Sequence, residues 1–131
     1  MPKRDGRALA RVIATNAERD AVAVQRMAPD AELADAVVGL HAQQAAEKYL
    51  KAVLAYRGIT YRRVHSITYL LGLLEDQDVE PPPRASELEV FTPWAPQARY
   101  DHDTDEATLH REAAAELVRG VRSWAEAQLR G

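Results

Sequence analysis

The 131-residue chain contains no cysteine, and aromatic residues make up only 6% of it. The missing thiols exclude disulfide bonds, thiolate zinc sites and a cysteine nucleophile. No apolar run approaches the roughly 20 residues that a membrane-spanning helix needs, and the N-terminus leads into a charged helix rather than an apolar signal core. We therefore expect a soluble, cytoplasmic protein that makes no membrane contact.

Strong charge of one sign is also missing, since the formal net charge is only −3. A general polyanion binder is thereby excluded, and any nucleic-acid surface has to be a local basic patch. Hydrophobic residues make up 47% of the sequence, and the prominence of alanine among them favours closely packed helices over sheets. The length fits one domain over residues 1–131.

Hydrophobic periodicity predicts helices throughout, and no segment shows sustained period-two alternation. We expect an all-α fold, an antiparallel bundle of four or five helices. Asp30 or Asp35 can cap the second helix and Ser66 the third, while Gly58 can end the second. The predicted helices span residues 7–27, residues 32–57, a short stretch after Ser66, a capping-box helix from Ser86 that Pro93 and Pro96 shorten, and a last helix from the acidic residues 103–106 to Leu129.

The same periodicity predicts which side chains form the core. Seven residues separate Tyr49 from Tyr56, so both belong to the apolar face of the second helix. Trp94 and Trp124 are interpreted as core or dimer anchors. The remaining core candidates are Leu9, Val12, Ile13, Val22, Val24, Met27, Val38, Ala42, Ala45, Leu50, Ala52, Leu54, Leu109, Ala113, Leu117 and Val121.

Gln44, Lys48 and Lys51 follow one another at steps of four and three, so they share one stripe of the second helix. Lysines attract phosphate, and a glutamine can hydrogen-bond a base or ribose. These three residues are therefore candidates for nucleotide or RNA binding. The alternative is an ion-paired face, in which Glu47 and nearby acids neutralise the lysines and Gln44 bonds to a neighbouring helix.

The densest group of residues that can take part in catalysis or binding is Arg99, Tyr100, Asp101 and His102. An arginine grips phosphate with a fixed fork, and a histidine moves protons near neutral pH. Arg99 and His102 are accordingly candidate catalytic residues, with Arg99 and Tyr100 as further binding candidates. The alternative has Arg99 paired with a carboxylate such as Glu47 and Tyr100 packed under the second helix.

Metal and cofactor sites are not expected. Asp101, Asp103, Asp105 and Glu112 imitate part of a calcium-binding loop, but Glu106 stands where the sharp turn demands glycine. Acidic residues that stabilise the start of a helix explain this cluster more simply. The chain also lacks a glycine pattern for a phosphate-binding loop.

The segment from His41 to Ala52, HAQQAAEKYLKA, resembles the signature helix of the HEPN (higher eukaryote and prokaryote nucleotide-binding) family. Gly58, His65 with the leucines that follow it, and the Arg99-Tyr100 pair occupy the family's next motif positions in order. The similarity covers about residues 8–129.

This resemblance implies a helical homodimer associated with nucleotide or RNA chemistry. Many members pair with a minimal nucleotidyltransferase as a toxin–antitoxin system, and some are metal-independent endoribonucleases with four to six residues between an arginine and a histidine. Only two residues separate Arg99 from His102. We therefore predict a nucleotide- or RNA-binding HEPN module with a nucleotidyltransferase partner. The alternative is an endoribonuclease toxin with a degenerate Arg-His pair. The dimer interface is expected to include the last helix or the region of Arg99 and His102.

Overall fold

A computed structural model of the protein describes residues 6–96 and 108–130. Within these residues the chain is helical and contains no strand, which confirms the predicted all-α bundle. The elements are α1 (Gly6–Met27), α2 (Asp35–Tyr56), α3 (Ile67–Asp76), a 3₁₀ helix (Ala85–Trp94) and α4 (Arg111–Gln128).

The long helices α1 and α2 pack against each other along most of their length. The face of α1 that meets the core consists mainly of alanine, with Ala10, Ala17 and Ala21 almost fully buried. The predicted core residues Leu9 and Val12 are instead 54% and 60% exposed. That prediction was wrong because small side chains let the two helix axes approach closely, which turns the larger residues of α1 outward.

Helix α2 is the centre of the bundle, and α1, α3, the 3₁₀ helix and α4 all contact it. Its predicted apolar face is confirmed by the full burial of Val38, Ala42 and Ala45, and by Tyr49 at 2% exposure. Burial raises the pKa of the Tyr49 hydroxyl to about 12. Tyr56, at the last turn, is only half-buried.

The turns around α2 and α3 follow the predicted chemistry in part. Gly58 has a φ of +72°, the left-handed conformation that ends a helix at little cost for glycine. The Ser66 hydroxyl accepts the Tyr69 N–H at 3.1 Å and so caps α3. The predicted aspartate cap of α2 was wrong, because Ala34 holds the cap position and supplies no side-chain bond.

The fourth element departs from the predicted capping-box helix. It is a 3₁₀ helix that starts after Arg84, whose φ of +58° is left-handed, and no side chain caps it. Pro93 inside this element has no backbone N–H to donate. Trp94 packs in the space that Gly39 leaves open on α2, since a Cβ at that glycine would lie 2.6 Å from the indole ring.

Helix α4 closes the bundle against α1 and α2. Leu117, Val121 and Trp124 are buried as predicted, whereas Ala113 is exposed and Ala114 takes its place in the core. The Trp124 indole N–H donates to the Glu80 carbonyl at 2.8 Å. The predicted acidic cap at 103–106 lies outside the described residues, and His110 is the N-cap of α4.

The start of α4 is tied to the start of α2 by one arginine. Arg111 donates to the Asp35 carboxylate at 2.8 Å and also to the backbone carbonyls of Asp30 and Leu33. This pairing lowers the pKa of the Asp35 carboxyl from its ordinary value of 3.8. None of the described helices has the length and apolar character required to traverse a bilayer.

Candidate functional site

The polar stripe of α2 lies between α1 and the connector that joins α2 to α3. Gln44, Lys48 and Lys51 all lie on it, as their spacing predicts, and each is half-buried. The exposed fraction of the side chain is 31% for Lys48 and 16% for Lys51. Both lysines are therefore held against the protein rather than extended into solvent.

A first group of charges links the stripe to α1, and we call Asp20, His41 and Lys48 the Asp20 cluster. The Asp20 carboxylate accepts the Lys48 ammonium at 2.7 Å and lies 2.9 Å from His41 Nδ1. Its side chain is 12% exposed, while that of His41 is 36% exposed. This cluster fastens two adjacent helices at the edge of the core.

A second group links the stripe to the connector, and we call Gln43, Glu47, Lys51 and His65 the Glu47 cluster. The Glu47 carboxylate accepts Gln43 Nε2 at 2.9 Å and the Lys51 ammonium at 3.0 Å. Its Oε1 also lies 2.9 Å from His65 Nδ1. Only 4% of the Glu47 side chain is exposed. Three donors thus compensate the burial of one charge.

Tyr61 of the connector lies beside the Glu47 cluster. The Lys51 ammonium is 5.8 Å from the centre of the Tyr61 ring, within the range of a cation–π contact. Burial, and secondarily the nearby Glu47 carboxylate, raise the pKa of the Tyr61 hydroxyl. The phenol is therefore neutral at physiological pH and is available as a hydrogen-bond donor.

Some hydrogen-bonding groups of the two clusters are not used within the clusters. A lysine ammonium has three donors, and the Asp20 carboxylate takes one from Lys48. His41 and His65 each use Nδ1 toward a carboxylate, which leaves the Nε2 edge of the ring for another partner. The stripe can thus donate to a bound phosphate or ribose while its carboxylates hold the donors in place.

The structure bears on the two interpretations of this stripe. Lys51 is paired with Glu47 and Lys48 with Asp20, as the ion-paired alternative expects. Gln44 Nε2 donates to Gln43 Oε1 at 2.7 Å, so its bond lies within α2 and not to a neighbouring helix. Pairing reduces the net positive charge of the stripe but leaves donors exposed.

The other predicted site residues, Arg99, Tyr100 and His102, lie outside the described residues. The same holds for most of the calcium-loop imitation at 101–106. The partner suggested for Arg99, the Glu47 carboxylate, already accepts from Gln43 and Lys51. In the described ranges, 6–96 and 108–130, no group of three or more acidic or histidine side chains is arranged to hold a metal ion.

Sequence reasoning missed Asp20 and underestimated His65. Gln43, Glu47 and Lys51 follow one another at steps of four, so their mutual bonds were predictable from helical spacing. Asp20 sits on another helix and His65 in a connector, and neither reveals its partner until the topology is known. The contact of His65 with Glu47 shows how the segment before α3 is held.

A separate groove of about 380 Å³ lies between the 3₁₀ helix and α4. Arg84, Val90, Leu109, His110 and Leu117 line part of it. Arg84 is paired with Glu87 and approaches Glu116 there, so its charge is neutralised. This groove includes none of Gln44, Lys48 and Lys51, and the polar stripe of α2 remains the candidate site.

Comparison with known proteins assigns the chain to a family. The model of the HEPN domain matches residues 10–128, which include both charged clusters and all the described helices except the first turn of α1. No curated protein and no solved structure matches the chain. The family match spans nearly the whole sequence, and the chain belongs to the HEPN domain family.

Proposed function

We propose that this HEPN domain binds a nucleotide or RNA on the polar stripe of α2, as a homodimer and as the partner of a minimal nucleotidyltransferase. The observation that carries the proposal is the shared placement of Gln44, Lys48 and Lys51 beside two buried carboxylates. Carboxylates that fix the lysine heads reduce the side-chain entropy lost when a ligand binds. A phosphate then takes the remaining ammonium donors, and Gln44 is placed to bond a base or ribose.

Binding is tested by titrating the purified full-length chain with AMP and with a labelled RNA. Lys48→Gln removes the positive charge yet keeps a donor group beside Asp20, so we expect the fold to be preserved. We expect Lys48→Gln to weaken binding. The double variant that combines it with Gln44→Ala is expected to bind more weakly still. Arg26→Gln is the matched control, since Arg26 is an exposed cation on α1. Equal affinities for wild type, the double variant and this control would refute the stripe as the site.

Homodimer formation is supported by exposed apolar residues of α1, a surface other than the last helix or the Arg99–His102 region that the resemblance implies. Leu9 and Val12 are 54% and 60% exposed, and their spacing of three residues places them on the same face of α1, about one turn apart. Two neighbouring exposed apolar side chains form a small patch that a second copy of the chain can cover. Sedimentation of Val12→Glu as a monomer, with wild type and Val90→Glu as dimers, is the expected result. A wild-type monomer at micromolar concentration would contradict it.

The nucleotidyltransferase partner is tested by co-expression. We expect the tagged HEPN chain to retain a minimal nucleotidyltransferase encoded beside it through purification. A binding module also leaves RNA intact, so incubation of the purified chain with RNA is expected to yield uncleaved RNA. Cleavage that His102→Ala abolishes would instead support the nuclease alternative.

A further inference from the structure

One stretch of this weakly acidic chain carries positive charge without any acidic residue. From Lys48 to Leu74 the sequence has no aspartate or glutamate, although the chain has 20 acidic residues in total. The cations of that stretch are Lys48, Lys51, Arg57, Arg62 and Arg63. It is therefore the local basic segment that a net charge of −3 makes necessary for contact with a polyanion.

The structure brings part of this segment together at the edge of the bundle. We call Lys51, Tyr61, Arg62, Arg63 and Tyr69 the connector patch. The Arg62 guanidinium lies 4.7 Å from the centre of the Tyr69 ring, and the Lys51 ammonium lies 5.8 Å from that of Tyr61. Two cations thus lie over two aromatic rings, one at each side of the connector.

Contacts with side chains of α2 hold the connector in this shape. The Glu47 carboxylate holds His65 through Nδ1, and Gln43 Nε2 donates to the His65 carbonyl at 3.4 Å. At the outer side, the Arg62 N–H donates to the Tyr69 hydroxyl oxygen at 3.2 Å. That bond lowers the pKa of the Tyr69 hydroxyl. A preformed surface loses less conformational entropy when a ligand binds.

The two arginines at the outer side of the connector are not neutralised. Among the residues that the structure describes, no carboxylate forms an ion pair with Arg62 or Arg63, and both side chains are exposed. Arg84, Arg111 and Arg122 differ, since each of them meets a carboxylate. Arg62 and Arg63 therefore keep their charge for an external anion.

We propose that the connector patch is the binding surface for single-stranded RNA, with Arg62 and Arg63 on successive phosphates and the Arg62–Tyr69 stack as a platform for an unpaired base. This inference rests on the proposed function and names its ligand class and a second contact surface. Planar guanidinium and aromatic groups stack with the exposed bases of a single strand. An acidic protein surface has no such bases, so single-stranded RNA fits the patch better. Lys51 belongs to both the stripe and the patch, so one strand can follow the surface from α2 to the connector.

The test measures the affinity of the full chain for a labelled single-stranded RNA of about twelve nucleotides, a length within the usual range for such surfaces. Arg62→Ala with Arg63→Ala is expected to weaken binding about tenfold and to lower the salt dependence by about two phosphate contacts. Arg11→Ala with Arg26→Ala removes the same charge from exposed positions of α1. This control is expected to change the affinity less than about twofold.

The aromatic contribution has its own pair of variants. Tyr69→Leu removes the ring beneath Arg62 and is expected to weaken RNA binding. Tyr69→Phe keeps the ring and loses only the bond from the Arg62 N–H to the hydroxyl, so its loss of affinity is expected to be smaller. Circular dichroism of each variant confirms that the helices are retained. Equal RNA affinity of Tyr69→Leu and Tyr69→Phe would remove the stacking platform from the proposal.

Three results would overturn the connector patch as the site. They are equal affinity of the two arginine double variants, tighter binding of double-stranded than single-stranded RNA, and equal binding of polyglutamate. Binding of AMP that Lys48→Gln weakens, without any RNA binding, would overturn this inference and leave the proposed function intact. Absence of both AMP and RNA binding would refute both.

Discussion

The Asp20 cluster and the Glu47 cluster are built from the same groups but differ in burial. In each, one carboxylate meets a histidine Nδ1 at 2.9 Å and a lysine ammonium at a hydrogen-bonding distance. The Glu47 side chain is 4% exposed and that of Asp20 is 12% exposed. Lys48, whose side chain is 31% exposed, reaches water more easily than Lys51, whose side chain is 16% exposed. We therefore expect the Glu47–Lys51 pair to contribute more to stability than the Asp20–Lys48 pair, because its two side chains are less accessible to water.

The largest difference is expected from removing each carboxylate in turn. Glu47→Ala leaves Lys51 and Gln43 without their partner in a nearly dry position, which should lower the free energy of unfolding by about 3–5 kcal/mol. Urea denaturation followed by circular dichroism measures this. Glu47→Gln keeps an acceptor oxygen of the same shape and serves as the matched control with a smaller loss. A loss below about 1 kcal/mol for Glu47→Ala would show that the cluster is solvated after all.

Asp20→Ala is the corresponding change in the more exposed cluster. Lys48 and His41 can turn to water when the carboxylate is gone, so we expect a loss of about 1–2 kcal/mol. The same urea titration gives the value. If Asp20→Ala cost as much as Glu47→Ala, burial would not be what distinguishes the clusters.

Asp35 provides a pH-dependent version of the comparison, since its cation comes from a distant element. Arg111 lowers the pKa of the folded Asp35 carboxyl below its ordinary 3.8. A lowered folded pKa contributes stability above the unfolded value and loses it as the pH falls through the folded value. Asp35→Asn should therefore be less stable than wild type at pH 7. The difference should shrink below about pH 4 as the wild-type carboxyl gains its proton. A constant gap in thermal midpoint across this range would contradict the assignment.

The smallest effect is expected at Arg84, whose partner Glu87 is exposed. Their guanidinium and carboxylate meet at 2.6 Å, which lowers the pKa of the Glu87 carboxyl. Water and salt screen such a pair, so Arg84→Lys should leave the urea midpoint within the scatter of replicates. A clear shift that persists in high salt would show that distance matters more than burial.

The sequence was sufficient for the presence of the four α-helices and for the bonds within one helix, but not for the 3₁₀ helix. Gly58 and Ser66 were identified as helix boundaries because their chemistry acts locally. The steps of four among Gln43, Glu47 and Lys51 likewise contain most of the Glu47 cluster. The basic residues of the connector are visible in the sequence too, but their contacts with aromatic rings are not.

What remained hidden depends on how the helices are placed against each other. Leu9 and Val12 fit a core pattern, and only the alanine interface with α2 explains their exposure. Asp20 carries no local signal for its pairing with Lys48, because the two residues come together through the antiparallel packing of α1 and α2. The predicted Arg99 and His102 site lies outside the described residues and stays a prediction.

The alanine interface between α1 and α2 also constrains how this sequence can diverge. Ala17, Ala42 and Ala45 are fully buried, and each added methyl group there would have to push two packed helix axes apart. Arg62 and Arg63 occupy the opposite situation, where most substitutions leave folding unchanged. In a saturation mutagenesis screen read out by abundance, the smallest core side chains should therefore tolerate the fewest replacements. The connector arginines should matter only when the screen selects for binding.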